Sequence, residues 1–595
     1  MQKDTYHTLI IGSGCAGYNA ADWLFDLGVT DIAVVTEGVN MGTSRNTGSD
    51  KQTYYKLTLA GEEPDSVYEM AKTLFDGGSV HGDTALIEAA GSVKSFMKLV
   101  QLGLPFPTNR YGAYVGYKTD HDPRQRATSC GPLTSKLMTE ALERAVKAKG
   151  IPILDNSQVV ELLVEDNQVY GLVFLDGDAG LQTLYCENIV LATGGPAGIY
   201  SDTVYPVSQT GATGLALAAG AAACNLQEWQ YGLASTDFRW NVSGTYQQVL
   251  PRYISVDGRG NEYEFLLGYY DNPARALDMV FLKGYQWPFD TRKLDGSSRV
   301  DLLVADEKEK GRVVYLDFTK NPAGLDFDML SEEAYAYLKK SDALFGTPVE
   351  RLAKMNPKAI DLYRDNGIDL YAQPLKIAVC AQHCNGGIAV DANWESSVRG
   401  LYVVGEAAGN FGVYRPGGSA LNAAQVGAMR AAEAIAGKRN RSAPRRHQPR
   451  RHSGLDPESP VDGLRPLQPA SNQPKGIPGQ ARNDGENMSR FAGYRRSILK
   501  MKRLYNELTQ YHDNNQLPYP YKNNLITQIA VLSAMILSAE TWGTHGGAMV
   551  ENSPPTATYN PNYVITTTNN KSHFEPVRPI PPCDDWFERI WNEGE

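Results

Sequence analysis

The sequence predicts an α/β fold: a Rossmann-like nucleotide-binding domain, interrupted by an inserted α+β domain and followed by a helical C-terminal region. Three observations carry that prediction. The first is Thr8 to Glu37, where an apolar run (Leu9, Ile10, Ile11) leads into Gly12, Gly14 and Gly17, a helix-like segment, a second apolar run from Ile32 to Val35, and the acid Glu37. The second is Asn188 to Ile199, a strand-like run ending in Thr193, Gly194 and Gly195. The third is an aromatic, charged and irregular stretch from 240 to 373, after which strand-and-glycine texture returns in Ile377 to Val390, Gly400 to Gly405 and Glu406 to Ala436.

Each part of the opening stretch has a mechanical job. Gly12 lets the strand turn sharply, Gly14 lets the main chain approach a pyrophosphate, and Gly17 lets the helix lie close on the sheet. Unpaired N–H groups and the helix dipole at the helix N-terminus favour phosphate there. Glu37 lies 20 residues past Gly17, where a carboxylate closing the second strand accepts from ribose hydroxyls. Strand, glycines, helix, strand and acid in that order predict dinucleotide binding. The two glycine-rich strand ends read as two edges of one nucleotide site.

Along the chain, Met41 to Lys56 is rich in Gly, Ser, Thr and Asn and reads as a loop with room for a flat or charged ligand. Apolar spacings of three and four predict an amphipathic helix from Asp83 to Leu104, ended by Gly103 and Pro105, and the pattern repeats from Pro132 to Lys149. Alternation from Ile151 to Leu175 predicts a meander of two or three strands. GATGLALAAGAAACNLQEWQ reads as a small-residue helix packed on the sheet, and the basic residues Arg239, Arg252, Arg275 and Arg292 read mostly as solvated charges. ALNAAQVGAMRAAEAIA predicts a helix whose first turn, at Ser419 or Asn422, aims back at the glycine-lined region.

Lys438 to Asn487 is basic, proline-rich and without aromatics, which predicts a disordered insertion. Its RHSGLDPESP and GIPGQARNDGE segments resemble the translated product of a bacterial palindromic repeat. Arg490 to Leu508 predicts a helix, and Leu525 to Ser538 a packed apolar helix too short to span a bilayer. The aromatic, proline-rich tail predicts a segment lying on the nucleotide domain or on a second subunit. The expected divisions are 1–239 and 374–437 for the nucleotide domain, 240–373 for the inserted domain, 438–487 for the insertion and 488–595 for the C-terminal region.

Composition bounds the class. A chain of 595 residues with 42% apolar and 21% charged residues reads as a soluble globular protein of two or three domains. A net charge of −10 argues against nucleic acid or anionic membrane as partners. No uninterrupted apolar run reaches the ~18–20 residues of a span, and the first strand starts too early to leave room for a signal peptide. No integral membrane segment is expected. The cysteines are scattered without a C-x-x-C, so no iron–sulfur, zinc or haem signature is visible and no metal is expected. A reducing, cytoplasmic setting follows from the same usage.

GSGCAG with Glu37, SRNTGSD, ATGGPAG, CNGGIAVD, GLYVVGEAAG and YRPGGSALN resemble the ordered signatures of one flavoprotein family. That family contains the succinate dehydrogenase and fumarate reductase flavoprotein subunits, L-aspartate oxidase and the adenylylsulfate reductase flavoprotein. The resemblance covers roughly residues 6 to 437. It implies a Rossmann-like FAD-binding domain, an inserted capping domain that closes over the flavin, and a helical C-terminal part. Carried over, Gly12, Gly14, Gly17 and Glu37 would hold the adenosine diphosphate half. Ser44, Asn46, Thr47 and Gly48 would lie along the flavin end, with Thr193 and Gly194 near the adenine side. Glu406 would meet the ribityl and phosphate region, and Ser419 and Leu421 would set a helix N-terminus against the flavin.

Departures from the family pattern shape the expected chemistry. The stretch around Arg45 and Asn46 has no histidine to bond FAD, so noncovalent FAD is expected. Gln382 occupies the place of the family's substrate histidine and His383 stands one step later, which reverses side-chain direction in an extended segment. Arg415 matches the family's substrate-carboxylate arginine, and a planar guanidinium suits that role. The capping-domain arginine that donates a proton in fumarate reductases has no clear counterpart; Arg252 is the nearest candidate. Arg126, with His121 and Arg124, is a further candidate anion contact. The expected activity is hydride transfer between a small anionic substrate and FAD, with reoxidation or reduction by oxygen, a quinone, a nicotinamide nucleotide or a separate electron-transfer subunit. The alternatives are a flavoprotein subunit of an adenylylsulfate reductase-like assembly and a flavin-bound module without turnover.

Overall fold

The computed structural model describes residues 3–441 (62 and 271 excepted), 479–514, 519, 521–553 and 558–582. Thr5–Ile11 is an inner strand of a seven-stranded sheet. It pairs in parallel with Ile32–Val35 on one side and with Gly180–Leu191 on the other, so Ile11 stands opposite both Val35 and Leu191. Ile153–Leu154 extends the sheet beyond Ile32–Val35, and Leu401–Val403 pairs in parallel with Gly180–Leu191. Ile32–Val35 is buried along its whole length, as parallel strands covered on both faces must be. The helix Cys15–Asp26 packs against Thr134–Ala148 and the long helix Ser419–Arg441. The expected meander is Ser157–Glu165, Gln168–Asp176 and Gly180–Leu191, antiparallel throughout. Asp166 and Asn167, both with positive φ, make its first turn.

A second, six-stranded antiparallel sheet takes its strands from Trp229–Ser235, Trp240–Asn241, Arg252–Val256, Glu262–Tyr263, Val313–Asp317 and Leu375–Cys384. It therefore spans 229–384, wider at both ends than the 240–373 read from the sequence. The strand Leu375–Cys384 of this sheet runs directly into the glycine pair at 386–387, so Gln382 and His383 lie at its end.

Several elements differ from expectation. The small-residue helix is only Thr213–Ala218; Gly220 turns the chain at φ +89°, and Ala223–Cys224 becomes a short strand. That strand pairs with Gly387–Ile388 and with Tyr563–Thr568, whose hairpin partner is Lys571–Pro576. The tail thus adds two strands to the small sheet that holds Ala223–Cys224 and Gly387–Ile388. Around Ser44 the expected loop contains a one-turn helix, Thr43–Asn46. The C-terminal helix Tyr521–Thr541 is longer than expected and by length and composition could cross a bilayer, but 67% of its most apolar window is buried inside the fold. Its Leu525, Ile529, Leu532 and Met535 share one core with Trp229, Tyr231 and Leu233 of the antiparallel sheet. The helix Ser419–Arg441 runs into the expected insertion and Gly479–Phe491 begins within it. Residues 442–478, and the disorder expected there, lie outside the described residues, as does the end of the tail from 583.

Candidate active site

The parallel strands deliver their C-terminal ends to one long cavity, with Ile11, Val35, Ala192 and Val404 at its floor. Ligands in open α/β sheets bind at such strand ends. The space enclosed is about 1260 Å³, including its open mouth.

One end is built on the glycine turns. Gly12 sits at φ +108°, and a Cβ there would stand 2.5 Å from the Ala192 carbonyl oxygen. Gly17 does not line the cavity; a Cβ on it would meet the Gly12 carbonyl at 2.0 Å, so it closes helix on strand. Gly14 lines the cavity, as do Thr193 and Gly194. The carboxylate of Glu37 lies at the same end, accepting from Thr210 Oγ1 at 2.9 and 3.1 Å and from Gln158 Nε2 at 3.3 Å. Burial pushes its carboxyl up, against those hydrogen bonds.

The segment Ser208–Gly211 lies along this end, and no spacing or composition signal announced it. Ser208 Oγ accepts from the Gly42 amide, Gln209 Oε1 accepts from the Thr43 amide, and Gln209 Nε2 donates to the Thr193 carbonyl at 2.6 Å. This segment therefore ties together turns that are far apart in sequence. Tyr519, from the C-terminal region, also lines the cavity.

The other end is lined by Ser44, Thr47, Gln52, Ser135, Gln382, His383, Glu406 and Leu421. Ala420, Leu421 and Ala424 belong to the first turns of Ser419–Arg441, so the N-terminus of a 23-residue helix abuts the cavity. Asn46 does not reach in: its Nδ2 donates to the Asn40 and Gly42 carbonyls at 2.9 and 3.0 Å. Gly48 lies behind, against Trp240 and Gln52. Ser419 sits beside Arg415 in a small adjoining cavity.

Glu406 accepts from the Tyr205 hydroxyl and from the Cys384 amide. Burial pushes its carboxyl up to about 7, opposed by these donors and by the Arg415 charge.

Arg415 and His383 are joined through Asn385. Arg415 donates to Gln230 Oε1 at 2.7 Å, Asn385 Oδ1 at 3.3 Å and Ser419 Oγ at 3.5 Å, all neutral groups. It makes no ion pair among the described residues, and burial lowers its pKa to about 10, opposed by Glu406. His383 Nδ1 lies 3.0 Å from the same Asn385 Oδ1, and its ring stands edge-on to Phe411 at 4.8 Å. Burial first, and the Arg415 charge second, hold the imidazole neutral well below its ordinary pKa.

Two expected catalytic arginines are corrected. Arg126 is fully buried away from the cavity, its guanidinium on Asp65 at 2.6 and 2.8 Å, Asp122 at 3.3 Å, Tyr55 at 3.0 Å and Thr73 at 2.9 Å. Arg252 is locked on Glu262, Glu264 and Asp317 within the antiparallel sheet. A guanidinium saturated by carboxylates has no donors left for a ligand. Likewise, Arg124 bonds Glu63 and Glu69 at the surface.

The donor set fits an extended dinucleotide. Thr43 Oγ1, Thr193 Oγ1 and His383 Nε2 are buried without a hydrogen-bond partner among the described residues, and all three residues line the cavity. Buried polar atoms are normally satisfied, so these point to a ligand. Together with the glycine turns, the Glu37 carboxylate and the helix N-terminus, they supply acceptors for ribose and donors for phosphate and ring. Among the described residues, no group of three or more His, Cys, Asp or Glu could hold a metal ion.

The chain is similar to L-aspartate oxidase of Mesorhizobium japonicum, 26% identical over 452 residues that cover 73% of this chain and 77% of that protein. It is also 26% identical to a fumarate reductase (CoM/CoB) subunit of Methanothermobacter marburgensis, covering 75% of each chain. A quinol-fumarate reductase structure shares the fold at a TM-score of 0.69 and 17% identity, covering 98% of this chain and 100% of that one. The chain belongs to the FAD binding domain family, whose profile matches residues 7–421, and it is an FAD-dependent oxidoreductase.

Proposed function

We propose that this protein moves a hydride between a small carboxylate-bearing substrate and FAD held without a covalent bond. One observation carries the reading: Arg415 is a half-buried guanidinium whose hydrogen-bond partners are all neutral, beside the cavity and linked to His383 through Asn385. A buried charge without a counter-ion is costly, and an anionic ligand removes that cost with paired, charge-assisted hydrogen bonds. FAD supplies the two-electron chemistry when bound. The chain supplies the rest. Arg415 orients the carboxylate, and Phe411 packs against both the Arg415 guanidinium and the His383 ring. The N-terminus of Ser419–Arg441, which abuts the cavity, would favour negative charge on a ring system held there.

The test is titration of the yellow holoprotein with small carboxylates, monitored by flavin absorbance. Carboxylates should perturb the spectrum in the wild type and not in Arg415→Gln. A spectrum indifferent to every carboxylate would sink the reading. Acid-precipitated protein that kept its yellow colour would contradict noncovalent binding. A separate electron-transfer partner is a second reading, favoured because one relative is named as a subunit, while the fold is that of a quinol-fumarate reductase chain. Flavin that bleaches only when a partner protein is added would support it.

A further inference from the structure

Asn385 lines neither cavity, yet it touches a residue of each. His383 lines the large cavity and Arg415 the small adjoining one, while Asn385 is 1% exposed. Strand pairing explains the convergence. In the antiparallel sheet Gln230 stands opposite His383 and Tyr231 opposite Ala381, so Gln382 is bulged out between the two pairs. Paired residues share a face, and Asn385, two positions past His383, lies on it again. Gln230 and Asn385 therefore meet the Arg415 guanidinium, with His383 beside them.

The orientation of the Asn385 amide follows from its neighbours. Arg415 Nε–H can only donate, so the Asn385 atom facing it at 3.3 Å is the oxygen, and the nitrogen is left to donate to the Val413 carbonyl at 3.4 Å. The same oxygen lies 3.0 Å from His383 Nδ1, which then carries the ring proton and leaves Nε2 as a lone pair. The carboxylates nearby are engaged elsewhere. Glu406 Oε1, 3.9 Å from His383 Nε2, accepts from Tyr205 and the Cys384 amide. The Glu228 carboxylate is paired with His545, and Glu228 meets Asn385 through its backbone carbonyl, which accepts from the Asn385 amide N–H at 2.8 Å.

A carboxylate of the same shape at 385 would change both neighbours. It would pair with Arg415 and compete with any anion for the guanidinium. It would also draw a second proton onto His383, since an opposite charge favours the ionised form. An amide does neither. Resting on the carboxylate reading above for its first half, we propose that Asn385 is a positioning residue whose neutral oxygen keeps Arg415 open to an anion and holds His383 as the neutral tautomer with its proton on Nδ1. Gln230 acts with it on the guanidinium, through Oε1 at 2.7 Å.

The experiment compares Asn385→Asp with Asn385→Leu in the yellow holoprotein, two side chains of the same shape that differ in charge. Propanoate binding, followed by flavin absorbance, should weaken about fivefold in Asn385→Leu, the scale of one neutral hydrogen bond. It should weaken roughly 100-fold in Asn385→Asp, the scale of closing the guanidinium with a fixed counter-ion. Gln230→Glu should repeat the second result and replaces it where Asn385→Asp does not fold. A loss no greater with the acid than with leucine would leave Asn385 a structural residue and overturn the first half. Nitrogen NMR of histidine-labelled holoprotein reads the second half without any carboxylate, the His383 signals being those absent from His383→Phe. At mildly acidic pH the wild type should carry a proton on Nδ1 alone and Asn385→Asp a proton on both nitrogens. A wild-type proton on Nε2, or an Asn385→Asp ring still singly protonated, overturns it. Propanoate without effect on the wild type sinks the carboxylate reading and the first half together, and the nitrogen signals then decide the second.

Discussion

The two ends of the cavity are made by opposite means. At the glycine end the backbone forms most of the wall: Gly12, Gly14 and Gly17 lie within six positions, and Glu37 follows one strand later. At the far end side chains such as Thr47, Ser135, His383 and Glu406 form it, and they come from distant places; Arg415, beside it, reaches across 185 positions to Gln230, and Asn385 joins it to His383. Where the main chain forms the contacts, no change of side chain is tolerated at the turn. Where side chains form them, each can be removed singly and its share measured.

The largest effect expected at the backbone end comes from Gly12→Ala. At φ +108° and 2.5 Å from a carbonyl oxygen, the added methyl must displace the turn, and the variant should purify without flavin absorbance. Wild-type flavin content in that variant would erase the distinction between the two ends. Arg126→Met separates structural from ligand-binding arginines. Removing one partner of a buried ion pair leaves Asp65 and Asp122 uncompensated and should cost roughly 3–5 kcal/mol in denaturant unfolding. Folded variant should keep its FAD content and its response to carboxylates.

Glu88 offers a comparable effect through pH. It lies fully buried on the helix Gly82–Gln101 with Asn410 as its side-chain partner, and burial pushes its carboxyl up to about 8. Between pH 4.5 and 8 the folded carboxyl keeps a proton that the unfolded chain has lost, so the unfolded state binds fewer protons and stability falls as pH rises through that window. Glu88→Gln should remove a share of that fall, on the order of 4 kcal/mol, read from urea unfolding at pH 5 and pH 8. Glu406, raised to about 7, keeps a smaller slope of the same sign. An unchanged slope would mean that Glu88 is solvated.

Arg415→Gln should weaken carboxylate binding roughly 100-fold, as loss of a buried charge-assisted contact does, while leaving flavin content intact. The mildest expected change is Glu37→Gln, about tenfold weaker FAD binding by equilibrium dialysis. If the two variants exchanged phenotypes, the assignment of the two ends would be reversed.

Much of the glycine end was legible in the sequence because its contacts are local. Gly12, Gly14, Glu37, Thr193 and Gly194 all line the cavity, and Gly17 closes helix on strand. Ser208, Gln209 and Thr210 were missed because nothing in PVSQTG announces a strap. Their role exists only where that loop crosses the turns at 42–43 and 193–195. The inserted region was read at 240–373 from a change of texture; the antiparallel sheet found there also takes in Trp229–Ser235 and Leu375–Cys384, which carry no signal of that pairing until they meet in space.

The sequence by itself determined the nucleotide-binding strand–turn–helix and the family, because glycine spacing and apolar periodicity are written within a single stretch of chain. Only the tertiary structure decided which arginine is available to a ligand. Arg126, Arg252 and Arg415 are the same residue type in similarly polar surroundings, and they differ in whether carboxylates from other segments reach them: Asp65 and Asp122 for the first, Glu262 and Asp317 for the second, neutral amides and a hydroxyl for the third. Charge compensation is a property of neighbours in space, and one-dimensional spacing does not specify those neighbours.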